Sequence, residues 1–495
     1  MKLLDLIVFI VYIAGITVFG TSFYRKNKTT KAFTLGNSLI PRWVVTMSIF
    51  ATFVSSISFL ALPGKAYQSN WNAFVFSLSL PVAAIIAVKF FVPLYRKVNS
   101  PSAYTFLEQK YGPWARIYVS ICYLLTQLMR VGTILYLLAI ALNAVFKWDI
   151  SAIIIITGVI VLLYSMLGGL QAVVWTDAIQ GIILIAGALT CALYILFKMP
   201  EGPQQMFEIA LKDQKFSLGS LSGSFTESTF WVVLIYGIFI NLQNFGIDQN
   251  YIQRYMASKS DEDAKRSALT GGLLYIPVSL IFMFIGTALY SFYASGAAVL
   301  PGELLSPDKS DLIFPHFIVH QLPAGISGLL IASILAAGMS TISTSFNSSA
   351  TVFLTDFYQR YFKKSASDKD SMRILYVASA IISILGIIIG IAMINVKSAL
   401  DAWWKLASIF SGGMLGLFLL ATFAQVKNQV GVIVGVVFGI LVIFWISAGE
   451  MLFGKDLPGT GIHSYLSIVF GTVAIFVVGF VLTRITERIY QSKKN

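Results

Sequence analysis

Apolar stretches of about twenty residues recur along almost the whole chain, and they limit what it can fold into. A helix needs about 20 mostly apolar residues to cross a bilayer. The charged fraction is only 12%, against about 25% in soluble domains. The chain is therefore predicted to be an all-α membrane protein embedded in a lipid bilayer, with about thirteen spans near residues 3–22, 42–66, 72–94, 115–145, 150–167, 171–197, 229–252, 267–293, 325–353, 374–394, 402–424, 429–449 and 464–484.

Several classes of function are disfavoured by composition. The two cysteines fall in apolar segments and there are three histidines, so neither a disulfide framework nor a metal cluster is predicted. No ATP-binding P-loop occurs, which argues against a primary pump, and no soluble domain is evident. We therefore predict no enzyme activity, no nucleic-acid partner and no obligate protein partner.

Positive charge alternates between the two predicted faces of the membrane. One set of connecting stretches holds 23 Lys and Arg residues, and the opposite set holds about nine. Because Lys and Arg are enriched in cytoplasmic loops, we expect a plasma-membrane protein with its N-terminus outside and its C-terminus inside, which requires an odd number of spans. The basic stretches are 23–42, 95–116, 253–266, 360–373, 425–428 and 484–495.

A run of polar residues lies inside one apolar stretch. On a helix, Ser340, Ser343 or Thr344, and Asn347 share one face. Neutral oxygens in a row suit a desolvated sodium ion, and polar groups within the membrane are functional by default. Close helix packing by small residues is the alternative. The run comprises Ser340, Thr341, Ser343, Thr344, Ser345, Asn347, Ser348 and Ser349.

Two other spans are predicted to be interrupted helices. In the second span, three serines precede Pro63 and Gly64, and residues of this kind free backbone carbonyls that can hold a cation. In the seventh span, Gly246 lies among several amide side chains and Asp248. The two spans are five apart, which suggests a transporter built from two inverted repeats of five helices. An ordinary kinked helix is the alternative for the second span.

Two charged residues stand within the apolar spans. Arg130 is near mid-span and cannot lose its proton, so it should meet an anion, either a substrate carboxylate or a buried acid such as Asp177 or Asp248. Asp177 in turn needs a cation, for which a sodium ion or Arg130 would serve. Three tryptophans, Trp148, Trp403 and Trp404, are placed at the membrane interface as aromatic-belt residues.

The sequence resembles the sodium:solute symporter family over nearly the whole chain. The matching segments are YSMLGGLQAVVWTDAIQG (164–181), QNYIQRY (249–255) and AAGMSTISTSFNS (336–348). Segments 48–59, 63–67, 102–108 and the one starting at residue 130 bring it closest to the bacterial sodium/sialic acid symporters of that family.

The resemblance implies a ten-helix inverted-repeat core, preceded by one helix and followed by two. The implied division is 1–40 for the first helix and its cytoplasmic loop, 41–425 for the core, and 426–495 for the two last helices and the tail. It further implies two sodium ions and a substrate site. The main sodium site would use Ala51, Val54, Ala337, Ser340 and Thr341; the second would use Asp177, Ser340, Ser343 and Thr344; the substrate site would use Ser55, Ser58, Arg130, Phe53, Ser56 and Phe245.

Four positions depart from the family pattern. Phe53 stands where a small hydroxyl residue is expected, and Ala73 and Ser77 stand where an aromatic residue and a glutamine are expected, while Thr344 replaces a serine. The expected function is sodium-coupled uptake of sialic acid. The alternatives are a symporter for another small carboxylate or a sugar and, from another class, a sodium-linked receptor or a channel.

Overall fold

The computed structural model describes residues 3–396, 399–424, 429–453 and 461–492, and these form helices without any strand. The predicted basic stretch 425–428 and the end of the 484–495 stretch lie outside the described residues. The α-helices are α1 Leu3–Ser22, α2 Thr30–Leu35, α3 Arg42–Phe53, α4 Leu62–Gln68, α5 Val75–Leu78, α6 Leu80–Ile86, α7 Val92–Val98, α8 Thr105–Tyr111, α9 Pro113–Phe146, α10 Ile150–Phe197, α11 Pro203–Lys212, α12 Phe230–Ile247, α13 Gln249–Ala257, α14 Asp261–Leu273, α15 Tyr275–Ala294, α16 Ile313–Gln321, α17 Ile326–Val352, α18 Asp368–Ala392, α19 Ala399–Phe423, α20 Gln429–Phe453 and α21 Ser467–Ser492.

Shorter helical segments connect these helices. Three are wide π-helical segments, at Ile57–Ala61, Ala87–Phe91 and Phe353–Phe362. The others are 3₁₀ turns at Phe23–Lys26, Gly36–Ser38, Trp71–Phe74, Gly302–Leu304, Pro307–Leu312, Met393–Asn395 and Ser464–Leu466.

Within the described residues, eleven helices are long and apolar enough to cross a membrane, or twelve when α3 is joined to the segments after it. The expected thirteenth crossing depends on α10, which has 48 residues and at ~1.5 Å per residue exceeds twice the bilayer core. Its course breaks at Gly169, where φ is +58°. A Cβ there would meet Asn27 Oδ1 at 2.5 Å, so only glycine fits. Two crossings within α10 stay a prediction.

The two predicted interruptions are present, but each lies away from the expected residue. α3 ends at Phe53, Val54 has extended backbone angles, and the chain bends by 59° before continuing as Ile57–Gln68. The break thus falls at the serines rather than at Pro63, which lies in the first turn of α4. Similarly, Gly246 is helical, and the break after α12 is at Asp248 with φ −76° and ψ 124°.

Helix α17 runs through the middle of the molecule and is almost entirely buried. It packs against α1, α3, α9, α10, α13 and α18. Most of its hydroxyls donate to the backbone carbonyl one turn earlier, as Thr341 does to Ala337 at 3.2 Å and Ser345 does to Thr341 at 2.9 Å. Such bonds let a polar helix lie in a dry interior at a small cost in free energy. The hydroxyls that lack them are therefore the candidates for binding an ion or a substrate.

Candidate substrate and ion sites

The break between α3 and α4 opens onto a cavity of about 80 Å³ in the centre of the protein. Its other walls come from the 3₁₀ turn Trp71–Phe74 and from helices α5, α9, α12, α13, α15 and α19. Both kinds of predicted polar group reach it, the hydroxyls of the broken helix and the guanidinium of α9. Its polar lining includes Ser55, Ser58, Gln127, Arg130, Asp248 and Tyr275.

Arg130 has few partners within the protein for a buried cation. It is 9% exposed, its Nη2 donates to the carbonyl of Thr52 at 2.9 Å, and the ring of Trp403 lies 5.9 Å from its guanidinium carbon. Among the described residues no carboxylate forms an ion pair with it. Asp248 lines the same cavity without a direct bond to it. The guanidinium is therefore placed to receive an anion from the cavity.

The serines of the break take up different positions. Ser55 Oγ accepts the backbone N–H of Ile57 at 3.2 Å, and Ser58 Oγ lies 3.4 Å from the hydroxyl of Tyr275. Both line the cavity, whereas Ser56 Oγ points away and donates to the carbonyl of Ile134 on α9. The structure thus brings Ser55 and Ser58 to Arg130 and leaves Ser56 outside.

An aromatic wall faces the polar groups. Phe53 lines the cavity, with its ring 4.4 Å from that of Tyr275 and stacked 5.7 Å from that of Phe245. Phe245 itself is fully buried behind Phe53 and does not line the cavity. Ala73 does line it, as do Trp403 and Trp404. The assignment of those two tryptophans to the membrane interface was wrong, because the N-terminal part of α19 turns them inward.

The residues expected to form the main sodium site converge where α17 passes the break in α3. Thr341 Oγ1 lies 3.5 Å from the carbonyl oxygen of Val54 and 3.2 Å from that of Ala337. Ser340 Oγ is buried and has no hydrogen-bond partner, and Ala51 is 2% exposed. Oxygen atoms are the ligands that hard cations such as sodium prefer. The set fits a cation by donor chemistry.

The residues of the expected second site also meet, with one unexpected addition. Asp177 Oδ2 lies 3.5 Å from Thr344 Oγ1 and Ser343 Oγ bonds the carbonyl of Ser340. However, Arg254 forms a fully buried ion pair with Asp177 at 2.5 Å. The prediction that Arg130 would serve as the protein partner of Asp177 is therefore wrong, because α13 carries Arg254 between α3, α10 and α17.

Arg254 was missed because it was counted among the basic residues of the stretch 253–266. It is 0% exposed and donates to Ser48 Oγ, Asn250 O and Thr344 Oγ1 at 2.6–2.7 Å as well as to Asp177. The available signal was its position one turn after Asn250, directly beyond the end of the polar seventh span. Asp177 Oδ1 remains buried without a hydrogen-bond partner.

Comparisons with known proteins identify the family of this chain. The sodium:solute symporter family model matches residues 33–439. The sodium/sialic acid symporter NanT of Aliivibrio fischeri is 31% identical over 481 residues, covering 96% of this chain and 92% of that protein. For the sodium/sialic acid symporter SiaT of Proteus mirabilis, the identity is 32% over 475 residues, covering 94% and 92%.

One solved structure shares almost the full fold. The substrate-bound, outward-open structure of a Na+-coupled sialic acid symporter, which reveals a novel Na+ site, is 28% identical and superposes with a TM-score of 0.89, covering 98% of both chains. The expected all-helical, inverted-repeat transporter class is confirmed, while the domain bounds 1–40, 41–425 and 426–495 stay predictions. The chain belongs to the sodium:solute symporter family.

Proposed function

We propose that this protein couples sodium entry to the uptake of sialic acid across the bacterial plasma membrane. The observation that carries the proposal is Arg130, a buried guanidinium that lines the cavity and has no ion pair with a carboxylate among the described residues. Because arginine stays protonated and matches a carboxylate with two parallel N–H donors, a carboxylated substrate in the cavity would complete its coordination. The named relatives, two sodium/sialic acid symporters, support sialic acid as that substrate.

Sodium would act by binding beside the break in α3. An ion held by Val54, Ala337 and Thr341 oxygens, with Ser340 Oγ, would fix the backbone that carries Ser55 and Ser58 on the other side of the break. Sodium binding would thus favour the state that binds substrate, and rocking of the two halves would then open the site inward. We propose a second sodium ion at Asp177, Ser340, Ser343 and Thr344, where Asp177 Oδ1 is unpartnered.

A second candidate substrate is a smaller monocarboxylate. The central cavity measures about 80 Å³, below the ~300–1,000 Å³ typical for drug-sized ligands, and Phe53 occupies part of it where relatives are expected to carry a small hydroxyl residue. A short acid needs less of this space than sialic acid does, although a pocket of about 610 Å³ that is also lined by Ala73 and Trp404 adjoins the cavity. Sialic acid requires the aromatic wall, including Phe53 and Trp404, to move apart.

Uptake into proteoliposomes separates these functions. Labelled sialic acid is expected to accumulate only with an inward sodium gradient, with unlabelled short carboxylates and neutral sugars as competitors. Sodium-dependent accumulation of a labelled short carboxylate, without any accumulation of labelled sialic acid, would transfer the assignment to the second candidate. A channel would pass sodium without any solute, and a receptor would bind sodium without moving either species.

Orientation in the membrane is part of the same proposal, with the N-terminus outside and the C-terminus in the cytoplasm. Lys364 follows the end of the Phe353–Phe362 segment and Lys212 ends α11, and both side chains are exposed. In single-cysteine variants, Lys364→Cys should react with an impermeant thiol reagent only from the cytoplasmic side, and Lys212→Cys only from outside. The opposite pattern would reverse the positive-inside assignment.

A further inference from the structure

A chain of buried hydrogen bonds joins the central cavity to the Asp177 ion pair. Gln127 lines the cavity one turn from Arg130 on α9. Its Oε1 accepts from Asn250 Nδ2 at 3.1 Å, and its Nε2 faces Asp248 Oδ2 at 3.5 Å. The carbonyl of Asn250 then accepts from Arg254 Nη1 at 2.6 Å. Gln127, Asn250 and Arg254 are all 0% exposed, and Gln127 Oε1 also accepts from Ser345 Oγ on α17 at 2.8 Å.

Asn250 takes part in both halves of this hydrogen-bond series, through its side chain with Gln127 and through its backbone carbonyl with Arg254. It stands in the first turn of α13, immediately after the break at Asp248, whose Oδ1 accepts its backbone N–H at 2.8 Å. Its side-chain oxygen lies 2.9 Å from the Tyr123 hydroxyl and 2.5 Å from that of Ser348. One nine-residue helix therefore carries the contact with the cavity at its start and the contact with Asp177, through Arg254, one turn later.

We propose that Asn250 and Gln127 couple cation binding at Asp177 to the central cavity, with Asn250 as a positioning residue; this rests on the second sodium site proposed above. A sodium ion at Asp177 competes with Arg254 for one carboxylate, because the two positive charges repel. Displacing Arg254 would remove the bonds that hold α13 to Asp177, Ser48 and Thr344 and would let this helix move about the break at Asp248. The shift moves Asn250 against Gln127 and so changes the wall of the cavity beside Arg130. Both sites thereby bias one movable element, as thermodynamic coupling requires.

The first test follows the cavity without any substrate. Ala407 lines the central cavity and is replaced by cysteine as a reporter. Its reaction rate with an impermeant thiol reagent is measured in sodium and in choline, after subtracting the rate of the chain that carries only Cys122 and Cys191. Sodium is expected to change the rate severalfold in the reporter chain. Adding Asn250→Ala or Gln127→Met is expected to bring the sodium-to-choline ratio within about 1.5-fold of one.

Thr133→Val is the matched control. Thr133 is also buried on α9, but its hydroxyl donates only to the carbonyl of Met129 in its own helix, so its sodium-to-choline ratio should equal that of the reporter chain. A reporter that is insensitive to sodium, or variants that keep the full ratio, overturns the proposal. The proposal is also overturned if Asn250→Ala and Gln127→Met change the rates in sodium and in choline by the same factor, because that result indicates a structural role. If Asn250→Ala does not accumulate as a folded protein, Gln127→Met decides.

The second test separates this coupling from the choice of substrate. The sialic acid Kd is measured in choline and in sodium, and the ratio of the two is expected to fall toward one in Asn250→Ala and Gln127→Met, while Thr133→Val keeps it. If the unmodified chain binds no sialic acid but the cysteine reporter still loses its sodium response in both variants, the proposed substrate fails and the coupling stands. If binding is sodium-dependent and the variants keep the full ratio, the coupling fails and the substrate stands.

Discussion

Three arginines are buried among the described residues, Arg116, Arg130 and Arg254. Arg130 on α9 and Arg254 on α13 differ most in the partners that the protein supplies. Arg254 has an ion pair with Asp177 and donates to three further oxygens, those of Ser48, Asn250 and Thr344. Arg130 donates to the backbone carbonyl of Thr52 and lies beside Trp403. Tyr251 and Asp248 also lie near it, but neither forms an ion pair with it. The two guanidiniums have the same charge and nearly the same burial, so the difference lies in what the fold supplies to each.

The difference indicates that Arg254 is a structural cation and that Arg130 is available to bind an anionic ligand. Removing a guanidinium from water costs several kcal/mol unless partners replace the solvent. At Arg254 the partners come from α3, α10, α13 and α17, so the cation is compensated by the protein and holds those helices together. At Arg130 only a part of that compensation comes from the protein, and the remaining N–H groups face a cavity lined by Ser55 and Ser58. The following predictions test this contrast.

The largest effect is expected from breaking the compensated pair. Arg254→Met leaves Asp177 as an unpaired charge in a dry interior, which typically costs ~3–5 kcal/mol, so the folded protein in detergent should unfold at a clearly lower temperature or denaturant concentration. Removing both charges, as Arg254→Met with Asp177→Asn, should recover most of the loss because no uncompensated charge remains. A single variant as stable as the parent would mean that the pair is solvated, contrary to its burial.

Arg130→Ala is expected to leave stability nearly unchanged and to reduce substrate affinity about a hundredfold. The physical reason is the loss of a charge-assisted pair with the substrate carboxylate, where each ~1.4 kcal/mol corresponds to a factor of ten. Arg130→Lys should not restore affinity, because lysine lacks the two parallel donors. Isothermal titration of the purified variants, with unfolding measured in parallel, distinguishes the two arginines directly.

The matched control changes the substrate instead of the protein. A methyl ester of the substrate lacks the carboxylate charge and should fail to compete with the acid for binding to the parent chain. Equal competition by the ester and the acid would make Arg130 a structural cation like Arg254. The proposal of sialic acid would then depend on resemblance to the relatives alone.

The sequence predicted the elements that depend on local pattern. Apolar stretches and charge alternation gave the helical membrane class, and the serines near Pro63 and the amides near Gly246 indicated two interrupted helices in corresponding positions. The breaks fall some residues away, at 54–56 and at Asp248. Periodicity locates a helix, but backbone angles at its end depend on which carbonyls find partners across the bundle.

Pairing between distant residues was beyond the sequence pattern. Asp177 and Arg254 are 77 residues apart, and although the polar residues just before Arg254 indicate a buried environment, they do not indicate which acid it pairs with. The inward turn of Trp403 and Trp404 was missed for the same reason, since tryptophan near a span end usually indicates the membrane interface. Tertiary packing decides in each case whether a side chain faces lipid, water or protein.

A smaller effect is expected at the main sodium site. Ser340→Ala removes a buried hydroxyl that has no protein hydrogen-bond partner, so protein stability should hardly change, whereas the half-saturating sodium concentration should rise roughly tenfold from the loss of one ligand worth ~1–2 kcal/mol. Ser333→Ala is the control on the same helix, because Ser333 Oγ already bonds the carbonyls of Leu329 and Ile183. Unchanged sodium activation in Ser340→Ala would remove Ser340 from the ion site.

The smallest effect is expected in the cooperativity of sodium, and it asks whether the Arg254 region is also an ion site. With a second ion at Asp177, transport should depend on sodium with a Hill coefficient near two, and Asp177→Asn should lower it toward one, because an amide attracts a cation far less than a carboxylate. The Hill coefficient does not depend on how much folded protein remains, so the instability of the unpaired Arg254 does not obscure it. Thr344→Ser, which keeps the hydroxyl facing Asp177, should preserve the parent value. Hyperbolic activation of the parent, with one charge moved per substrate, would leave Asp177 as the partner of Arg254 and nothing more, and would make the contrast between the two arginines complete.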